Sequence, residues 1–139
     1  MTVLVAVSDD GMQEAVIDTG VRLGRAFEQE LYVVYVTEEE TASPRAREVR
    51  DELREDLETR DVPFSVAIEH VEHANPRSGR AVGRQLADIA TDVGITHVVV
   101  GHRSKALLNR LVSGDVAFTL AETAEVPVTV VPDPLASEE

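Results

Sequence analysis

The residues with the most evident chemistry lie close together, in the stretch GHRSKALLNRLVSGD between Gly101 and Asp115. Gly101 follows a β-branched run, Thr96 to Val100, and a polar turn, His102-Arg103-Ser104, comes after it. Gly114 and Asp115 stand just ahead of a helical apolar pattern at Val116, Ala117 and Leu120. In an α/β protein such a passage leaves backbone N–H groups without internal partners, and the next helix adds its positive end. The chemistry on offer is therefore the grip of an anion. Gly101 and Gly114 permit close backbone approach to it. Arg103, Lys105 and Arg110 bring positive charge, whereas Asp115 repels polyphosphate unless Mg²⁺ or concentrated salt lies between. Asp115 is equally suited to cap the helix that follows. Ser8, after the first strand, is placed either to donate to a ribose or base or to cap the first helix.

Other chemistries find less support. The chain has no cysteine, which excludes disulfides, thiolate metal sites and a cysteine nucleophile. His70 and His73 are three apart, but no third ligand stands at a supporting spacing, so no metal site is expected. Neither a Ser-His-Asp nor a Cys-His arrangement is visible, a P-loop is missing, and no catalytic residue is assigned. A binding protein, not an enzyme, is the expectation.

The elements that must position these residues follow from the apolar periodicity. At 139 residues the chain fits one domain. Val3 to Val7 is an apolar run suited to a central strand, ending in the turn chemistry of Ser8-Asp9-Asp10-Gly11. Val16, Ile17, Val21, Leu23, Gly24 and Phe27 predict a helix over 12–28, and Leu31 to Val36 a second strand. Ser43-Pro44 is an N-cap and first-turn pair opening a helix to about 60, with Val49, Leu53 and Leu57 as its inward stripe. Phe64 to Ile68 is a third strand, a helix is predicted over 77–93 with Gly94 as its C-cap, and Thr96 to Val100 is the fourth strand. A last helix over 113–123 leads to a strand at 127–132, whose flanking prolines fit an edge, and 133–139 reads as a disordered tail. Alternating strands and helices of this kind give a three-layer α/β/α domain around a parallel, doubly wound sheet. Ligands in such sheets sit beyond the carboxyl ends of the strands, which adds Val36 to the candidate positions.

Charge narrows the setting. Asp and Glu total 26 against 13 Lys and Arg, a net charge of -13, and Lys105 is the sole lysine. So acidic a surface opposes nucleic acid and anionic membranes. It suits concentrated salt, where the Debye length shrinks to a few ångströms, and a halophilic cytoplasm is expected. The start of the chain has no leader-like pattern, and no run approaches the length of a membrane span.

The opening VLVAV, the YVVYV strand, the stretch HANPRSGRAVGRQLADIATDVGITHVVVG, the glycine region and the closing VPVTVV together resemble the universal stress protein family. The resemblance implies a five-stranded parallel sheet of order 3-2-1-4-5 and a homodimer through strand 127–132. It also implies an adenine-nucleotide site, for ATP with or without Mg²⁺, in a stress-response protein with weak or no hydrolysis and regulatory protein partners. The family's ATP loop has the form Gly, two residues, Gly, nine residues, Gly, then Ser or Thr. Gly101 and Gly114 match it, while Ser104 replaces the second glycine and Asp115 the hydroxyl residue. An Asp that contacts the nucleoside in relatives is Ser8 here. The departures leave open a branch of the family that has lost the nucleotide and serves only as an interaction module.

Overall fold

The computed structural model describes residues 1–8, 11–37, 43–70, 78–92, 94–102 and 116–132. Five strands form one parallel sheet: β1 (Thr2–Val7), β2 (Glu30–Thr37), β3 (Phe64–His70), β4 (Ile95–His102) and β5 (Val128–Pro132). Among the described residues four helices accompany them: α1 (Gln13–Phe27), α2 (Pro44–Glu58), α3 (Ser78–Ile89) and α4 (Val116–Thr123). The strand order is β3-β2-β1-β4-β5, as expected. The tail at 133–139 lies outside the described residues.

Each buried strand divides its side chains between two apolar layers, because successive residues point to opposite faces. Val3, Val5 and Val7 of β1 join Val16, Ile17 and Val21 of α1 and Val49, Leu53 and Leu57 of α2. Leu4 and Ala6 instead join Leu86 and Ala90 beside α3, and Leu120 of α4. The chain thus covers one face while it winds from β1 to β3, and the other after it crosses back to β4. Right-handed crossovers require this when the direction of winding reverses.

The local devices agree with the sequence in part. Ser43 caps α2, its Oγ accepting from the Ala46 N–H at 3.1 Å, with Pro44 in the first turn. The start of α1 differs: its N-cap is Met12, with no side-chain cap, so Ser8 does not cap this helix. The helix α3 ends at Ile89, before Gly94, which therefore does not cap it. The Gly94 carbonyl instead accepts the Thr2 N–H at 2.8 Å, tying the start of β1 to the entry of β4. The strand β4 does not break at Gly101 but continues through it to His102, paired with Val131 and Pro132.

Gly20 lets α1 lie close to the sheet. A Cβ on it would stand 2.7 Å from Cγ2 of Val5, a residue of 0% exposure on the central strand. Further along, Arg60 fastens the end of α2 to α1 through Asp18 at 2.6 Å, and also pairs with Asp56 of α2 itself at 3.1 Å. These two carboxylates raise the guanidinium pKa further, Asp56 contributing most.

Phe27 lies half-exposed at the end of α1, its ring centroid 5.9 Å from that of His97. Nε2 of His97 is 2.6 Å from Oγ1 of Thr129, so the histidine joins β4 to β5. Burial pushes its pKa below the ordinary value of 6.5. A histidine with a lowered folded pKa favours the native state in full above the unfolded value, and loses that contribution as pH falls through the folded one. The thermal midpoint should therefore fall between about pH 7.5 and about pH 5 more steeply in the wild type than in His97→Gln. Equal slopes would show that the ring titrates freely.

Candidate functional site

The order β3-β2-β1-β4-β5 places the reversal between β1 and β4. The helices that follow these strands pack in opposite apolar layers, α1 with Val16 and Ile17 in one and α4 with Leu120 in the other, and ligands of such sheets sit beyond the carboxyl ends of the strands at this point. In the observed register Val7 pairs with Tyr35, and Val5 with Val99. One step beyond the sheet, Ser8 stands level with Val36 on one side and His102 on the other. Neighbouring strands are about 4.8 Å apart, so Val36, Ser8 and Gly101 gather within about 10 Å on three adjacent strands. The structure brings these three sequence candidates together. Arg103, Ser104, Gly114 and Asp115 lie outside the described residues.

Their orientations differ. Val36 is half-buried and packs with the α3 and α4 layer. Gly101 turns its bare side the other way: a Cβ there would meet Val16 Cγ2 at 3.0 Å and Met12 Cε at 3.3 Å. The missing side chain thus makes room for the start of α1, a second role for a residue read from sequence only as a point of ligand approach. Met12 fills that room at 2% exposure. The residue after it, Gln13, donates from Nε2 to the Ser8 carbonyl at 3.3 Å. Neither Met12 nor Gln13 was a sequence candidate. The available signal was the absence of a capping side chain at position 12.

A separate cleft of about 360 Å³ opens between α1 and α2, with Ile17 and Leu53 at its apolar base. Glu14, Glu52 and Asp56 surround it, and its Arg60 is already held by two carboxylates. That balance of charge disfavours a phosphate there. Among the described residues no group of three His, Cys, Asp or Glu side chains could hold a metal ion. His70 ends β3 in an exposed position, and His73 lies outside the described residues. No described helix is long and apolar enough to cross a membrane.

The model of the universal stress protein family matches residues 1–132. The chain belongs to that family. No curated protein matches it significantly, and its similarity to solved universal stress proteins is one of fold. The protein from Lactobacillus plantarum superposes with a TM-score of 0.70 at 15% identity, over 94% of this chain and 97% of that one. One from Archaeoglobus fulgidus, solved in complex with dAMP, gives 0.66 at 18% identity, over 94% and 97%. A third universal stress protein, in complex with cAMP, gives 0.62 at 17% identity, over 94% and 96%.

Proposed function

We propose that this universal stress protein binds an adenine nucleotide, ATP or a close relative, in the crevice above β1 and β4. It serves there as a cytoplasmic regulatory module of the stress response, with weak or no hydrolysis. The observation that carries the reading is the gathering of Ser8, Val36 and Gly101 at the reversal of strand order. The dAMP and cAMP complexes of relatives with this fold support the ligand class. Backbone amides near Gly101 and Gly114 hold the phosphates in this reading, Arg103 and Ser104 flank them, and Mg²⁺ or salt shields Asp115.

The protein acts as a homodimer that pairs its β5 strands. This partner reading is supported by the edge position of β5 and by Val130, 43% exposed on a strand with no charged side chain. Unpaired backbone groups on such an edge favour a second strand beside it.

The net charge of -13 favours a saline cytoplasm, so calorimetric titration belongs in about 2 M KCl as well as dilute buffer. ATP with Mg²⁺, dAMP and cAMP are each expected to give saturable heat, stronger in high salt for ATP. A folded protein silent to all three would end the reading. Asp115 favours the alternative, a module whose nucleotide site has lapsed. Acid extraction of the purified protein separates the two, since only a binder carries adenine nucleotide with it.

A further inference from the structure

We propose that Gln13 is a positioning residue of the crevice: from inside α1, its amide holds the turn that carries Ser8. The proposal rests on the nucleotide reading for its consequence, but not for its geometry.

A helix that starts beside a ligand site needs its entry segment restrained, and a side-chain cap at the N-cap usually does this. Here the N-cap is Met12, whose side chain makes no capping hydrogen bond and packs against Gly101. Gln13 supplies a restraint from the next position, Nε2 to the Ser8 carbonyl, across five residues and in a part-buried setting. Val7 is the last residue of β1. The Ser8 carbonyl therefore stands one residue beyond the end of the central strand. Met12 and Gln13 thus fasten the start of α1 to the two strands that flank the crevice, β4 through Gly101 and β1 through Ser8. The reach of a Gln is needed, because an Asn is one methylene shorter.

Gln13→Met keeps the length and removes the donor, and Gln13→Asn keeps the amide and removes the reach. For each, the measurements are affinity for dAMP and for ATP with Mg²⁺, hydrogen exchange of the Gly11 and Met12 amides without nucleotide, and the thermal midpoint. Both variants should bind about fivefold more weakly, the scale of one solvent-accessible hydrogen bond. Both should exchange faster at the two amides with the midpoint nearly unmoved, which separates positioning from general stability. Wild-type affinity together with wild-type exchange in Gln13→Met overturns the proposal. Should the wild type bind no nucleotide, the crevice reading fails on its own, and the exchange result alone decides whether Gln13 holds the turn.

Discussion

Gly20→Val should lower the stability of this protein by about 3 kcal/mol, roughly 10 °C in thermal midpoint for a domain of this size. On an exposed helix, replacing glycine raises stability, because the unfolded chain loses freedom and the helix gains propensity. Here the first added carbon already stands 2.7 Å from Val5 Cγ2, and Val5 is fully buried on the central strand. A β-branched neighbour in that position has no other rotamer to adopt without moving the sheet. The helix must lift, and contacts made by Val16, Ile17 and Val21 loosen with it. Gly24→Ala is the informative comparison. Its Cβ would also meet an atom at 2.7 Å, but that atom is Cδ2 at the far end of Leu31. The smaller cost expected there, about 1 kcal/mol, separates a yielding neighbour from a fixed one. A Gly20→Ala variant more stable than the wild type would show that α1 does not approach the sheet so closely.

Gly101→Val should lower both nucleotide affinity and stability, the affinity by more than about tenfold and the stability by about 2 kcal/mol. From sequence, the expected cause was a Cβ in the path of the phosphate loop. The structure adds another: the new side chain drives into Val16 and Met12, so the start of α1 shifts and takes the Gln13–Ser8 contact with it. Gly101→Ala adds the Cβ without the branches of valine and so gives the smaller form of both effects. Its Cβ lies 3.0 Å from Val16 and 3.3 Å from the flexible end of Met12, which can swing aside, so the cost should stay near about 1 kcal/mol. Binding by calorimetry and unfolding by circular dichroism on the same samples distinguish the outcomes. Loss of stability with full affinity in the remaining folded protein would place the nucleotide away from the end of β4. No change in either would contradict the packing of α1 on β4.

The apolar runs and helical spacings of this chain were enough to predict its layers and parallel sheet, and the family resemblance supplied the order of the strands. Those features are local: Val3 to Val7 reads as a covered strand wherever it sits, and Ser43-Pro44 opens a helix on its own chemistry. Ser8, Val36 and Gly101 were also legible as candidates, since each ends or nears the end of a strand. Their meeting depended on the register, which sets Val7 beside Tyr35 and Val5 beside Val99. Tertiary structure alone decided which way Gly101 presents its bare side, that Met12 fills the space, and that Gln13 turns back to Ser8. The reason is physical: a residue's type states what it is able to contact, whereas the partner is chosen by how close a helix lies to the sheet and which face each strand position shows.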